Sequence, residues 1–153
     1  MNINIIEKDI SEINMIKPLW EKLNLIHLNK SVYFKAKYKT FTFEERMKSI
    51  YEKAQKGSIK LEVLLDTAKD EYIGYCLCSI EDTFGEIESI FIEEQYRKLG
   101  LGDKLMNNAL KWFESNGIVK IEINVVYAND EALPFYNKHG FFIGNYILRR
   151  EIK

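Results

Sequence analysis

A chain of 153 residues with 46% hydrophobic and 29% charged residues has the size and composition of one globular domain. Its net charge of -1 excludes a broad electrostatic attraction to nucleic acid or to anionic lipid, so we expect neither as a partner. The sequence offers no apolar stretch of the roughly 20 residues that a membrane helix needs, and its first residues lack the pattern of a signal peptide.

Cys76 and Cys78 are the only cysteines. They are two residues apart on a predicted strand, so their side chains share one face and a disulfide between them is not expected. Reduced thiols favour a cytoplasmic protein. His27 and His139 are isolated from each other and from any Cys-x-x-Cys pattern, so we expect no metal site.

The first third of the chain predicts one strand and two helices. Residues 2–6 alternate Asn and Ile, as a short strand does. Apolar residues between Ile10 and Leu23 share one helical face. An aromatic-rich loop follows at 29–41, and the capping-box spacing of Thr42–Glu45 begins a second amphipathic helix that ends before Gly57.

The rest of the chain alternates between strand and helix patterns. The predicted elements are strands 59–65, 72–80 and 85–92, a helix that Asn116 and Gly117 stop, strand 119–127, a short helix at 130–138 and a closing strand at 141–152. Tight turns imply an antiparallel meander, and the strand–helix–strand unit from Gly85 to Tyr127 implies a parallel right-handed crossover. We therefore expect one domain over residues 1–153, of the α/β (α+β) class, with a mixed, mostly antiparallel sheet of about six to seven strands flanked by four helices.

The stretch RKLGLG, from Arg97 to Gly102, lies between a predicted strand and a predicted helix. Free N–H groups at a helix start, the helix dipole and glycines that permit a concave backbone together favour an anion site. By itself the stretch is equally compatible with an ordinary helix start. It lacks the third glycine of a dinucleotide fingerprint and the Gly-Lys-Ser/Thr of a nucleoside triphosphate loop.

A second motif, NDEALPFYNKHGF, begins at Asn129, 27 residues after Gly102. RKLGLG resembles the (Arg/Gln)-x-x-Gly-x-(Gly/Ala) signature of the GNAT superfamily of acyl-CoA-dependent N-acetyltransferases. The second motif resembles that superfamily's Asn-x-x-Ala-x-x-(Phe/Leu)-Tyr…Gly-Phe pattern. The order of predicted elements also matches, so the sequence is identified as a member of this superfamily, with its acyl-CoA N-acyltransferase fold.

The resemblance implies acetyl-CoA as the donor co-substrate, and no metal. Backbone N–H groups would hold its pyrophosphate, and a bulged strand would diverge from the next to admit the pantetheine arm. The N–H of Ile90 would polarise the thioester oxygen, while Asn129 would either bond the pantetheine amides or cap the next helix. The implied donor-binding residues are Ile90, Phe91, Ile92, Arg97, Lys98, Leu99, Gly100, Leu101, Gly102, Asp103, Asn129 and Tyr136.

Tyr136 matches the family's usual general acid, which protonates or hydrogen-bonds the leaving thiolate; the alternative is a tyrosine that only packs. Glu86 and Glu88 share one face of the strand that carries Ile90, and either could deprotonate the amine, directly or through a water. We place Glu88 before Glu86 because it is nearer the thioester. Two solvated glutamates are the alternative.

The resemblance places the acceptor site beside the aromatic loop, with Tyr33, Phe34, Tyr38 and Phe41 above the two carboxylates. Such a wall suits a cationic amine, but it does not separate a small amine from an amino acid or a peptide or protein amine. The same aromatic residues could be core or homodimer contacts. The sequence thus predicts an N-acetyltransferase with a direct-attack mechanism and an unidentified acceptor. A non-catalytic acyl-CoA sensor or scaffold is the second hypothesis.

Overall fold

The computed structural model describes residues 2–152, in which five strands form one mixed sheet. The strands are β1 (Ile3–Lys8), β2 (Ser58–Asp66), β3 (Glu71–Glu81), β4 (Phe84–Ile92) and β5 (Lys120–Ile123). They lie in the order β1-β2-β3-β4-β5, and every neighbouring pair is antiparallel except the parallel pair of β4 and β5. The predicted meander and parallel crossover are therefore confirmed.

In the described part of the chain, five α-helices and three short 3-10 turns connect the strands. The helices are α1 (Lys17–Lys30), α2 (Lys35–Thr40), α3 (Phe43–Lys56), α4 (Leu101–Ser115) and α5 (Leu133–Lys138). The turns span Ile10–Ile16, Glu94–Tyr96 and Asp130–Ala132. The sequence analysis predicted four helices and missed α2, which lies in the aromatic-rich segment. No residue of α2 is buried, so it carries no apolar face that periodicity could reveal.

Two separate cores cover the two faces of the sheet. On one face, Trp20 of α1 and Ile50 of α3 pack with Tyr75 of β3. On the other face, Leu105 and Phe113 of α4 belong to a second buried cluster. The apolar sides of α1 and α3 thus pack on one face of the sheet, and the apolar side of α4 packs on the other.

Local capping signals fix the ends of α3 and α4. The N–H of Glu45 donates to Thr42 Oγ1 at 3.1 Å, and α3 ends at Lys56, directly before Gly57. Helix α4 ends at Ser115, and Gly117 then adopts a φ of +71°, which a glycine reaches without steric cost. These predicted boundaries are confirmed.

The predicted closing strand at 141–152 is wrong, because this segment forms no strand. Strand β5 is also shorter than the predicted 119–127: it stops at Ile123, so the sheet has five strands rather than six to seven. Strand β5 offers a ladder of only four residues at this edge of the sheet, and the closing segment does not pair with it. The segment leaves large apolar side chains exposed, Leu148 by 93% and Tyr146 by 76%.

Candidate active site

Strands β4 and β5 run together for only part of their length. Four residues of β4, Phe84–Ile87, pair with β5, and β4 then continues to Ile92 while β5 ends. The pairing of β4 with β3 is continuous to Ile92 apart from a bulge at Glu88. The second half of β4 therefore has one main-chain edge without a neighbouring strand.

The direction of the main-chain N–H groups along this edge follows from one hydrogen bond. The N–H of Glu93 donates to the carbonyl of Ile73, on the β3 side, at 2.8 Å. Since successive N–H groups of a strand point to opposite sides, the N–H groups of Ile92 and Ile90 point away from β3. Both face the gap that β5 leaves. The side chain between them, Phe91, is buried.

The loop after β4 curves its backbone through two left-handed residues. Lys98 has a φ of +64° and Gly100 a φ of +79°. Gly100 caps α4, and its carbonyl accepts the helix's first hydrogen bond, from the N–H of Lys104 at 3.2 Å. The preceding N–H groups of the first helical turn have no intrahelical acceptor. They open toward a surface depression of about 180 Å³ that Arg97 and Lys98 also line.

These features fit a diphosphate. Left-handed turns beside a helix N-terminus form a concave array of N–H donors, and the helix dipole adds partial positive charge. The side chains of Leu99, which is half-exposed, and Leu101, which is buried, are apolar and offer no hydrogen bond to an anion. Both leucines are therefore relevant to an anion through their backbone rather than through their side chains.

Two residues hold the loop against the sheet. Arg97 Nε donates to the carbonyl of Ile92 at 2.8 Å, and its guanidinium carbon lies 5.6 Å from the ring centroid of Phe91. Tyr96 is buried, and its hydroxyl donates to the carboxylate of Asp66 at 2.6 Å. The guanidinium keeps its terminal N–H groups for another partner, and its position is fixed at the end of β4.

The two sequence motifs contact each other. A Cβ atom at Gly102 would lie 3.1 Å from Cε1 of Phe135, so this glycine permits close packing of α4 against α5. Asp103 accepts hydrogen bonds from Lys138 at 2.9 Å and from His139 at 2.7 Å. These bonds lower the pKa of the Asp103 carboxyl. The carboxylate is thus paired with a lysine and does not face an incoming anion as a free charge.

Tyr136 lies on the inner side of α5, with ring centroids 5.3 Å from Phe135 and 6.5 Å from Phe141. Burial raises its pKa to about 12, so the phenol keeps its proton at neutral pH. Within residues 2–152 the hydroxyl has no hydrogen-bond partner, although every fully buried side-chain oxygen there has one. The hydroxyl therefore reaches accessible space and can donate.

Asn129 precedes the turn Asp130–Ala132, but its side chain makes no capping hydrogen bond. Its carbonyl accepts instead, from the N–H of Ala132 at 3.2 Å. Of the two roles expected for the side chain, a helix cap or a ligand for pantetheine, the structure does not show the cap. The side-chain amide of Asn129, between β5 and this turn, therefore has hydrogen-bonding groups that no helix cap uses.

The two glutamates of β4 differ sharply in their surroundings. The side chain of Glu88 has no exposed surface; Arg46 reaches its carboxylate at 2.9 Å, Lys53 at 2.6 Å and Ser79 at 2.5 Å. Burial opposes its ionisation, but the hydrogen bonds from Lys53 and Ser79 and the charge of Arg46 prevail and lower its pKa. This carboxylate is held as an anion, with its hydrogen-bonding capacity used.

Glu86 is freer, with its side chain 18% exposed and, among the described residues, one ion-pair partner, Lys53, at 3.4 Å. Burial and the charge of Glu88 raise its pKa. Sequence reasoning missed the two cations of α3 that surround these carboxylates. Arg46 and Lys53 are seven residues apart, which puts them on one helical face, and that spacing is the signal that could have found them.

Of the four aromatic residues of the predicted acceptor wall, three are partly buried and only Tyr33 is exposed. Phe41 packs edge-on against Trp20 at 5.9 Å, and Tyr38 packs against His27 at 5.8 Å. Phe34, half-buried, precedes α2. Tyr33 is 75% exposed and stacks on Tyr127 at 6.1 Å, with 18° between the rings. Tyr33 therefore bridges from the segment after α1 to the segment after β5.

Within residues 2–152, no cluster of three or more His, Cys, Asp or Glu side chains could hold a metal ion. The thiols of Cys76 and Cys78 are buried and unpaired, with their sulfur atoms 3.7 Å apart, which confirms that they share one face of β3. None of the helices in this part of the chain has the length and apolarity to cross a bilayer.

The model of the Acetyltransferase (GNAT) family matches residues 25–141. Among curated proteins, streptothricin acetyltransferase A of Bacillus subtilis (strain 168) is 25% identical over 114 residues. That match covers 69% of this chain and 66% of the relative, so it spans just under two thirds of the relative's length.

Two solved structures have the same fold over nearly the whole chain. A putative acetyl transferase from Pyrococcus furiosus superposes with a TM-score of 0.74 at 24% identity, covering 99% of this chain and all of that one. The PaiA N-acetyltransferase from Thermoplasma acidophilum, solved in complex with coenzyme A, gives 0.72 at 18% identity, with 96% and 94% covered. At these identities the likeness shows the shared fold.

Proposed function

The chain belongs to the Acetyltransferase (GNAT) family, and we therefore propose that it transfers the acetyl group of acetyl-CoA to a primary amine by direct attack, through a tetrahedral intermediate. One observation carries the proposal: the unpaired edge of β4 leads directly into the N–H array of the loop before α4. Acetyl-CoA carries an extended, amide-bearing arm between its thioester and its diphosphate. This arrangement fits a main-chain edge that leads to an array of N–H donors. The prediction of family and fold from the two motifs is confirmed.

Acetyl-CoA binds along this edge. The N–H groups from Lys98 to Asp103 take the pyrophosphate, and the charges of Arg97 and Lys98 offset part of its own. The main chain of Ile90 and Ile92 bonds the pantetheine amides, as a neighbouring strand would. The side-chain amide of Asn129, which caps no helix, bonds the same arm.

The N–H of Ile90 faces the gap and donates to the thioester oxygen. As the amine attacks, negative charge grows on that oxygen, and a donor already aimed at it stabilises the transition state more than the ground state. Tyr136, protonated at neutral pH and with its hydroxyl free, then donates its proton or a hydrogen bond to the leaving thiolate.

Glu86 is the general base in this proposal. An amine substrate arrives as an ammonium ion and must lose a proton, so a carboxylate of raised pKa is the better acceptor. The sequence by itself favours Glu88, because it is nearer the thioester. Its three donors and its lowered pKa give it a structural role instead.

The acceptor enters beside the segment between α1 and α3, where Tyr33 is exposed. It is a small cationic amine, an amino acid or a peptide or protein amine. The name of the Bacillus subtilis relative makes streptothricin a reasonable member of the first test panel. Neutralisation of Glu88 by Arg46 and Lys53 weakens the attraction of a cation to this site, so an acceptor that also carries a carboxylate belongs in the panel.

Two experiments test the proposal. Acetyl-CoA and free CoA should raise the melting temperature, and ATP should not; no shift with either CoA species would overturn the function. Thiol release across the amine panel then separates an enzyme from a binding module. CoA binding without turnover on any amine would favour the second candidate, a non-catalytic acyl-CoA sensor or scaffold.

We also propose that the protein is cytoplasmic and forms a homodimer. Its two unpaired buried thiols suit a reducing compartment. Residues 142–152 expose several large apolar side chains, a surface that a second copy could cover. Sedimentation of the full chain at several concentrations tests the dimer, and a single species of monomer mass at all of them would exclude it.

A further inference from the structure

Strand β4 contains one extra residue, Glu88. Its pairing with β3 passes from Ile87 to Ser89 across consecutive β3 residues, so Glu88 has no partner of its own. A bulge of this kind bends a strand and changes the direction of the main chain that follows. It lies immediately after the last β4 residue that pairs with β5 and two residues before Ile90. The bulge thus determines where the N–H of Ile90 points.

Arg46 of α3 holds the main chain of this bulge. Its Nη2 donates both to the carbonyl oxygen of Glu88, at 3.0 Å, and to the carboxylate of the same residue, at 2.9 Å. The arginine side chain is only 19% exposed. One nitrogen therefore ties the main chain and the side chain of a single residue together, from an element 42 positions away in sequence.

The other carboxylate oxygen of Glu88 is held from two further directions. Lys53 donates to it at 2.6 Å and Ser79 at 2.5 Å, and neither residue has a hydrogen bond to the bulge carbonyl. Arg46 is thus distinguished from the other two donors by its main-chain contact. A role in orienting the strand belongs to Arg46, whereas all three residues contribute to holding the buried carboxylate.

We propose that Arg46 is a positioning residue, which fixes the bulge at Glu88 and thereby aims the N–H of Ile90 at the acyl oxygen of the bound thioester. This inference rests on the proposed acetyltransferase function. Its chemical consequence is specific: the main chain of Ile90 acts on the transition state, whereas the diphosphate cradle before α4 binds the ground state. Loss of Arg46 should therefore reduce turnover much more than coenzyme affinity.

The test compares Arg46→Met with Ser79→Ala. Methionine keeps the packing of the arginine stem and removes the donor, while Ser79→Ala removes a donor from the same carboxylate without touching the main chain. We expect Arg46→Met to lower kcat about 100-fold, the cost of a displacement of about 1 Å. The Kd for free CoA, from titration calorimetry, should change less than about threefold, and Ser79→Ala should keep kcat within the same margin.

Three results would overturn the proposal. Equal kcat losses in the two variants would assign the effect to the carboxylate rather than to the bulge. An unchanged kcat in Arg46→Met, with only a lower melting temperature, would leave Arg46 a structural role. A parallel loss of CoA affinity would indicate general damage to the site. Kinetics should be measured well below each variant's melting temperature.

A second variant keeps the proposal testable if Arg46→Met does not fold. Arg46→Lys retains the positive charge beside Glu88, but it lacks the planar fork of a guanidinium and is shorter. The same division between kcat and Kd is expected with a smaller loss, and a kcat equal to that of the unsubstituted protein would overturn the inference. Absence of turnover in the unsubstituted protein on every amine would overturn the proposed function itself, and this inference with it.

Discussion

Gly102 of α4 lies directly against the ring of Phe135 of α5, because a Cβ atom at this glycine would come within 3.1 Å of Cε1 of the phenylalanine. The two residues belong to the two motifs that identified the family. The contact shows that the second glycine of RKLGLG serves the packing of the two motifs, and that the first, Gly100, serves the left-handed turn.

This contact predicts that Gly102→Ala and Gly100→Ala destabilise for different reasons. For the first, overpacking of about 1–3 kcal/mol is partly offset by the better helix propensity of alanine, about 1 kcal/mol, so we expect a cost of about 0–2 kcal/mol. The second should cost about 1–2 kcal/mol through a positive φ. The substitution Phe135→Leu makes room for a Cβ atom at Gly102 but not at Gly100, where no atom lies within 4 Å of such a Cβ. Urea unfolding of the single and double variants should therefore give strong non-additivity for the Gly102 pair and additive effects for the Gly100 pair. Additivity in both pairs would contradict the packing role.

Lys98→Asn should weaken coenzyme binding without straining the loop. Asparagine tolerates the left-handed backbone that Lys98 adopts, so the substitution removes a charge and little else. We expect the Kd for CoA to rise about fivefold, near 1 kcal/mol, and to depend less on ionic strength. Lys48→Asn, on the exposed side of α3, is the matched control. The same salt dependence in both variants would argue against a role for Lys98.

Tyr136→Phe should lower kcat by about 10²–10⁴-fold, the range for loss of a positioned acid, and leave CoA affinity nearly unchanged. The ring keeps its packing against Phe135 and Phe141, and only the hydroxyl is lost. Thiol-release assays measure kcat, and calorimetric titration measures the Kd for CoA. Tyr51→Phe, at an exposed position of α3, should change neither. Full turnover in Tyr136→Phe would remove this residue as the acid.

The pH dependence of kcat/KM should identify the base. A base must be deprotonated, so activity falls as the pH drops through its pKa. Burial and the Glu88 charge raise the pKa of Glu86, which puts this acidic limb above 4.5, the ordinary glutamate value. Glu86→Gln should abolish the limb and cost about 100-fold in rate, while Glu52→Gln, on the exposed surface of α3, should change neither.

Removal of the neighbouring cation supplies an independent check of the same assignment. The charge of Lys53 lowers the pKa of Glu86, so Lys53→Met should move the acidic limb to higher pH. The pKa of Glu88 is lowered, and a limb below pH 4.5 that disappears in Glu88→Gln would assign the base to that residue instead.

Much of this architecture could be predicted from the sequence because its signals are local. Thr42 caps α3 through an N–H three residues away, and Gly117 ends α4 through its own φ. Strand β4 alternates between buried and more exposed residues with period two, and two short motifs identified the family. Such features depend on residues a few positions apart, so a sequence window contains their whole cause.

Only the tertiary structure decided what depends on contacts between distant residues. Glu86 and Glu88 look equivalent in the sequence, but two cations of α3, more than thirty positions earlier, pair with Glu88 and leave Glu86 the freer carboxylate. The length of β5 and the absence of a strand at 141–152 likewise depend on which edges meet. The sequence determined most of the helices and strands and the donor motif, because propensity and periodicity act locally. The protonation and orientation of the site were decided by packing, because charges and main-chain edges act through space.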